Sequence, residues 1–384
     1  MNSGKSAAPP RGTVVHIIDG LGRGGAERLL TLYAPELQQQ GFRVEVVVLK
    51  VKDGNPEAAR LTEAGIGVHF VPLGKLRNLR QISAALQRIS SLRPTVIHTH
   101  LEAATFLGGL ARLWLRVPVI STLHTLEHPD GLNRHSARRW VVNRLLTGVY
   151  DRVICLSDAI LNMARKNGLP RAPLVALANG IPLPARDLPR KGLRSSLGIP
   201  ANVPLIITVA VLRPLKGIDY LIAAMPAIRE TVADAHLLIV GDGPERGPLE
   251  AAARSFGLEQ AITFAGYRED VADLLREADV FVLPTLWDAL PTVVIEAMAA
   301  SLPIVASSVG GLPDMVRDGV EGRLVAPKDV AALASSVTSI LADPAQRVSL
   351  GKNARQRAES EFSLEGQVAR LATIYSTVGG AKAS

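Results

Sequence analysis

Short apolar, β-branched runs alternate with longer segments of helical period along almost the whole chain. No other feature constrains the fold as much. TVVHII (13–18) is continuously apolar enough to be a strand buried on both faces. GAERLLTLYAPELQQQG then carries apolar residues at 29, 30, 32, 33 and 37, one face of a helix, and Gly41 stands where a helix ends. VEVVVL (44–49) is the next strand, with further strands predicted at 67–71, 95–98, 118–122, 152–156 and 173–177. Near 182 the texture changes: PLPARDLPRKGLRSSLGIPANVP is rich in Pro, Arg and Ser and lacks a long apolar period. The alternation restarts with PLIITVA (204–210), a helix over 218–231, HLLIV (236–240), a helix over 245–257, and strands in ITFAG, DVFVLP and LPIVAS. Repetition of this kind predicts βαβ units around parallel sheets. The expected fold is α/β: two doubly wound, Rossmann-like domains facing each other across a cleft, with ligands beyond the carboxyl ends of the strands. The boundaries read as a flexible tail (1–12), an N-terminal domain (13–182), a junction (183–202), a C-terminal domain (203–362) and a C-terminal helix (363–384) that can cross back.

Composition bounds the function. With 47% hydrophobic and 20% charged residues in 384, the chain reads as globular, long enough for two cores. The one cysteine, Cys155, excludes a disulfide framework, favours a reducing compartment and reads as a small core residue. The opening MNSGKSAAPPRG lacks the apolar stretch of a secretory signal. No run approaches the ~18 apolar residues of a membrane span. The expected location is cytoplasmic.

The net charge of +8 is unevenly spread. Residues 1–194 hold 27 Lys+Arg against 13 Asp+Glu, net +14; residues 195–384 hold 16 against 22, net −6. The excess gathers at Lys75, Arg77, Arg80, Arg88 and Arg93, and at Arg134, Arg138, Arg139 and Arg144. Segments 75–93 and 134–146 alternate these arginines with Leu, Ile, Val and Trp140 at near-helical spacing. That pattern suits an anionic membrane surface or an anionic substrate, so a peripheral position on the inner face of the cell membrane is expected. Nucleic acid is not an expected partner: no recognition motif accompanies the charge, and aromatics are 4%.

Gly20, Gly22 and Gly25 in HIIDGLGRGGAERLL fit G-x-G-x-x-G. Gly24 and Gly25, just before a helix, would bring bare backbone N–H groups close to an anion. A nicotinamide site also needs an acid near the end of the second strand. Here the strand ends in Lys50, Asp53 lies well beyond it, and Glu45 is inside it. A tight turn and another phosphate-bearing ligand remain alternatives.

The second half is richer. Arg213 and Lys216 in VAVLRPLKGID follow a strand end, and Gly217 opens a helix, an arrangement suited to a diphosphate. Gly241 in IVGDGPER and Tyr267–Arg268 in TFAGYRED occupy two further strand-end turns. In PTLWDALPTVVIEAMAASLPIVAS, Asp288 precedes Leu290-Pro291-Thr292, and Glu296 lies inside an otherwise apolar helix, where a carboxylate needs a polar partner such as ribose hydroxyls.

Together these stretches resemble the retaining glycosyltransferases of the GT-B class, family four. IHTH (97–100), STLHT (121–125), CLSDA (155–159), ANGI (178–181), VGGLPDMV and DGVEGRLV extend the likeness over essentially the whole chain. The resemblance implies GT-B architecture, with the first domain on the acceptor side and the second binding a nucleoside diphosphate sugar (a UDP- or GDP-sugar) without cofactor or metal. Arg213 and Lys216 match the pair holding the diphosphate, and Glu296 the glutamate on the ribose. The Leu290-Pro291-Thr292 backbone would reach the phosphates, and Asp288 the transferred sugar. Gly24–Gly25 match the glycine loop approaching the donor from the acceptor domain. His124 sits where the family places a histidine near the reacting carbon, while His98 and His100 read as supporting or core residues. The family usually has glutamate where this chain has Asp288 and Asp314, which bears on the sugar rather than the reaction. The acceptor would be a glycan or lipid-linked glycan of cell-surface polysaccharide, lipopolysaccharide or glycolipid synthesis. A GT-B-shaped sugar-nucleotide epimerase, an NAD(P)-dependent oxidoreductase and a catalytically silent glycan-binding relative are the alternatives.

Overall fold

A computed structural model describes residues 11–22, 24–51, 55–74, 78–124, 137–166, 169, 171–186 and 188–380, with 137–140 as backbone alone. The described residues form two compact units. One runs to Gly180 and resumes at Leu364; the other is Ile181–Ser363.

The first unit alternates β1 (Gly12–Ile18), α1 (Gly25–Gln39), β2 (Phe42–Val48), α2 (Pro56–Glu63), β3 (Gly67–Phe70), α3 (Leu79–Ser91), β4 (Val96–His100), α4 (Glu102–Leu115), β5 (Val119–Leu123), α5 (Ala137–Gly148), β6 (Arg152–Cys155), α6 (Asp158–Lys166) and β7 (Leu174–Ala176). Its seven strands are all parallel, in the order β3-β2-β1-β4-β5-β6-β7. The second unit contains α7 (Leu193–Ser196), β8 (Leu205–Val209), α8 (Ile218–Thr231), β9 (His236–Val240), α9 (Arg246–Ser255), β10 (Ile262–Gly266), α10 (Val271–Glu277), β11 (Val280–Leu283), α11 (Thr292–Ala299), β12 (Ile304–Ser307), α12 (Leu312–Met315), β13 (Gly322–Val325), α13 (Val330–Ala342) and α14 (Pro344–Glu361). Its six parallel strands run β10-β9-β8-β11-β12-β13. The order reverses direction at β1/β4 in one sheet and at β8/β11 in the other. Those are the places where a doubly wound sheet leaves a crevice for a ligand.

The central strands are buried on both faces, as helices on either side of a parallel sheet require: every residue of β4 and β9 is buried. The last helix, α15 (Leu364–Gly380), belongs to the first unit. Its Val368, Leu371 and Tyr375 join Val14, Leu37 and Val96 in the core there. Cys155 is fully buried, and burial pushes its thiol up to about 12, which leaves it a packing residue.

Three segments differ from what composition suggests. Residues 11 and 12, placed in the N-terminal tail, are held by the sheet: Arg11 N–H donates to Gly41 O (2.8 Å), and its guanidinium lies 5.2 Å from the Phe42 ring centroid. The Pro/Arg/Ser-rich stretch 183–202 is folded into the second unit around the buried Arg194. Arg194 donates to the carbonyl oxygens of Glu277 (Nε, 3.0 Å), Ala201 (3.0 Å) and Val203 (2.7 Å) and pairs with Asp279 (3.1 Å). Finally, the apolar residues between the arginines of α3 are turned inward, with Ile82, Ala85 and Ile89 buried. In α5, Val142 and Leu146 do the same. Among the described residues the near-helical alternation there serves core packing in part, while Leu79 at the start of α3 is exposed. Lys75, Arg77 and Arg134 lie outside the described residues, as do the side chains of Arg138, Arg139 and Trp140. No helix among the described residues is long and apolar enough to cross a membrane.

Candidate functional site

In the second unit, the residues singled out from the sequence lie beyond the carboxyl ends of one sheet, on loops joined into a row. The β10 loop meets the β9 loop where Gly241 N–H donates to Gly266 O (2.8 Å). The β9 loop meets the β8 loop through Leu212 N–H to Asp242 O (3.0 Å) and Glu245 N–H to Leu212 O (3.1 Å). The β8 and β11 loops cross at the switch point: Leu286 N–H (2.8 Å) and the Thr285 hydroxyl (3.0 Å) both donate to Leu215 O. The β12 loop closes the row with Gly311 N–H to Asp288 O (3.1 Å).

Two glycines make that proximity feasible. Gly217 (φ +62°) starts α8 after the 3-10 turn Pro214–Lys216, and a Cβ there would collide with the Pro284 carbonyl oxygen. At Gly310 (φ +56°) a Cβ would collide still more closely with the Asp288 carbonyl oxygen.

At the crossing, Lys216 Nζ donates to Asp288 Oδ2 at 2.5 Å, with about a quarter of the lysine and less of the aspartate exposed. Asp288 does not cap the helix that follows: Pro291 is the N-cap of α11 and makes no side-chain cap bond. Arg213 is exposed, and its side chain has no partner among the described residues. Leu290 and Pro291 are buried, Thr292 opens α11, and Glu296 is half-buried one turn on. At the far end of the row, Tyr267 is exposed while Arg268 is held by Asp270 (2.6 and 2.8 Å). Asp314 lies on α12, its carbonyl accepting from Arg357 (2.8 Å). At its switch point the second unit therefore offers the exposed Arg213, Lys216 held by an acid, and backbone N–H groups at the start of α11.

The first unit has a different character. A pocket of about 410 Å³, counting the solvent at its mouth, is lined by α1 residues, the ends of β1, β4 and β5, and Leu177–Asn179. Its polar wall is a chain of imidazoles. His16 Nδ1 and His100 Nε2 are 2.9 Å apart, as are His100 Nδ1 and His124 Nε2. His98 bonds Tyr375 Oη through Nδ1 (2.6 Å) and Thr122 Oγ1 through Nε2 (2.8 Å). Burial drives His16 down to about 3 and His124 to about 4, and holds His98 and His100 well below their ordinary value. All four are neutral near pH 7. Ligating nitrogens of His16, His98 and His100 lie within 4.8 Å of one another. Hydrogen bonds already engage both nitrogens of His98 and His100, so a metal could gain them only by breaking that network.

Gly24 is the N-cap of α1 and accepts from Arg28 N–H (3.0 Å). The buried Glu27 carboxylate folds back against Gly24, so an acid, as well as bare N–H groups, lies at this helix start. Glu45, the only acid inside β2, is consumed by Arg43 (2.7 Å) and His69 (2.7 Å), which hold its carboxyl down against the upward push of burial. Lys50, at the strand end, faces Asp19 at 3.7 Å. Among the described residues no unpaired acid stands at the end of β2 for a dinucleotide ribose, and Asp53 lies outside them.

Three participants carry little signal in the sequence: His16 and Tyr375, which complete the histidine cluster, and Asp19. Asp19 follows β1 and accepts from Ala104 N–H (2.8 Å) at the start of α4. His16 could have been found, as a polar residue at the centre of an apolar strand. Tyr375 carries no local signal.

Twin parallel-sheet units with a loop crevice at the switch point define the GT-B class of sugar-transferring folds. The profile described as "Glycosyl transferases group 1" matches residues 189–357, and that described as "Glycosyltransferase Family 4" matches residues 23–184. Glycogen synthase of Mycobacterium tuberculosis is 32% identical over 303 residues, 74% of this chain and 69% of that protein. D-inositol 3-phosphate glycosyltransferase of Corynebacterium glutamicum is 25% identical over 383 residues, 92% and 91% of the two chains. Among solved structures, Anabaena HepE in complex with UDP-glucose superposes with a TM-score of 0.83 at 22% identity, covering 95% of this chain and all of that one. The chain belongs to the group 1, family four glycosyltransferases.

Proposed function

We propose that this chain is a retaining glycosyltransferase that moves a hexose from a UDP-sugar to a glycan or lipid-linked glycan without a catalytic metal. The observation that carries this reading is the Lys216–Asp288 pair at the β8/β11 switch point, set within a row of five hydrogen-bonded strand-end loops. Breaking the anomeric C–O bond builds negative charge on the leaving diphosphate. Arg213, Lys216 and the N–H groups opening α11 would take up that charge, the role a divalent ion fills elsewhere. Glu296 would hold the ribose, Gly241 and the backbone at Tyr267–Arg268 would border the base, and Asp288 would read a sugar hydroxyl. In the first unit, the residues we assign to the reaction are His124 and the Gly24–Gly25 loop. UDP rather than GDP is favoured because HepE, which shares this fold, was crystallised with UDP-glucose.

For the acceptor, the net +14 of residues 1–194 favours an anionic glycan or an anionic membrane face. Exposed Trp114 and Leu113, next to Arg112 and Arg116 at the end of α4, supply an apolar contact there. Sedimentation with anionic vesicles at low salt tests the membrane part.

The central test is sugar transfer and donor hydrolysis from UDP-glucose, read by mass spectrometry with and without a chelator, the product anomer being assigned by NMR. Arg213→Ala and Lys216→Ala should each lose about a hundredfold in rate, roughly 3 kcal/mol of barrier. Near-wild-type turnover in both variants, or loss of activity with the chelator, overturns the proposal.

A further inference from the structure

The histidine chain of the first unit has two ends. At one end, His16 Nε2 is buried and has no hydrogen-bond partner among the described residues. At the other, His124 lines the pocket, with Nε2 committed to His100. A neutral imidazole carries one N–H and one bare nitrogen, so each link in the chain fixes the next. A buried N–H without an acceptor is rarer and costlier than a buried lone pair without a donor. His16 Nε2 is therefore the bare nitrogen, and the His16 proton is on Nδ1. That N–H donates to His100 Nε2 across 2.9 Å. His100 must then carry its proton on Nδ1 and donate it to His124 Nε2, again across 2.9 Å. His124 is left with its proton on Nδ1.

We infer that His16, acting through His100, fixes His124 as the Nδ1–H tautomer, so that His124 meets a substrate oxygen as a hydrogen-bond donor and not as a base. The oxygen would be a hydroxyl or ring oxygen of the transferred sugar, or an oxygen of the departing phosphate. His16 and His100 are positioning residues. His98 stands outside the chain, since Tyr375 and Thr122 take both its nitrogens. It packs against His100 with ring centroids 4.3 Å apart and keeps that ring from turning. The donor role for His124 rests on the proposed function above; the tautomer assignment rests on the structure of the first unit alone.

The experiment uses the full-length protein labelled with 15N-histidine. Long-range 1H–15N correlation spectra distinguish a protonated ring nitrogen from a bare one, and His124→Gln assigns the His124 signals. The wild type should show His124 protonated at Nδ1 and bare at Nε2. His16→Phe removes the donor to His100 and should leave His124 as a mixture of tautomers. In that variant kcat with UDP-glucose should fall about tenfold, while KM changes less than about twofold. His16→Asn places an N–H where Nδ1–H stood, and should restore both the single tautomer and the rate. The inference is overturned by an Nε2–H tautomer or an imidazolium at His124 in the wild type. It is also overturned by a single unchanged Nδ1–H tautomer in His16→Phe. Should His16→Phe fail to fold, the wild-type spectrum and His16→Asn decide the matter. The expected spectrum without any sugar transfer would defeat the proposed function and leave the tautomer assignment standing.

Discussion

At the scale of single residues, the candidate site turns on a lysine that already has a partner. Lys216 is 2.5 Å from Asp288, so a diphosphate would have to draw the ammonium away from that carboxylate. The pair is only partly exposed, so its attraction is less screened than that of a surface ion pair. In Asp288→Asn the competitor loses its charge but keeps its hydrogen-bonding reach. UDP alone, which lacks a sugar for Asp288 to read, should then bind about tenfold tighter, some 1.4 kcal/mol. Turnover of UDP-glucose should fall, because the acid that reads the sugar is gone. Isothermal titration with UDP checks the first statement, and equal or weaker binding than wild type would contradict it. Part of this site is legible in the sequence alone. Arg213, Lys216 and Gly217 stand together directly after an apolar strand, and that signal is local. Asp288 is legible as an acid before a helix, but its lysine partner is 72 residues away and no periodicity links them. The histidine cluster is harder still. His16 bonds across 84 residues and His98 to Tyr375 across 277, distances over which one sequence carries no pairing information.

At the scale of elements, strand and helix positions follow from apolar period, and the strand over 236–240 and the helix over 218–231 have the expected limits. What the pattern cannot say is which face each helix buries. The arginine-rich period of α3 is as compatible with a bilayer as with a core. The buried Ile82, Ala85 and Ile89 assign it to the core. The stretch 183–202 is the converse case. It has no apolar period because it is docked by a buried arginine together with the single buried Ile199. Arg194 satisfies three carbonyl oxygens and Asp279, while the Glu277 carboxylate accepts from Gly192 N–H (2.8 Å) and Leu193 N–H (3.2 Å) at the start of α7. Arg194→Ala strips the donors from those buried carbonyl acceptors and leaves Asp279 with Leu205 N–H (2.8 Å) and the distant Arg190 (3.7 Å). It should cost about 3 kcal/mol of stability, read as a lower urea midpoint. A loss below about 1 kcal/mol would mean that the segment is a simple connector after all.

At the scale of the whole molecule, the two units share an architecture but not their histidines. Among the described residues, the histidines that burial keeps neutral in the first are His16, His98, His100 and His124; the second holds His236, lowered by burial and by the nearby Arg229 and Arg194. In the unfolded chain each titrates near its ordinary 6.5. Below that pH the unfolded state binds protons that the folded state refuses, so stability falls as pH falls, until the depressed folded-state values are reached. For His16 that limit is about 3 and for His124 about 4. At pH 5 these two should each have withdrawn about 2 kcal/mol from the first unit. Glu45, Asp270 and Glu359 are all held below their ordinary 3.8–4.5 and surrender their contribution only at lower pH. Mild acid should therefore loosen one unit before the other. Hydrogen exchange at pH 7 and pH 5, corrected for intrinsic rates, should show protection falling further in β1, β4 and β5 than in β8 and β11. An equal loss in both sheets, or a greater one in the second, would mean that the imidazoles of the first unit already accept protons near pH 6. Neutral histidines would then no longer be available to carry a fixed tautomer to His124.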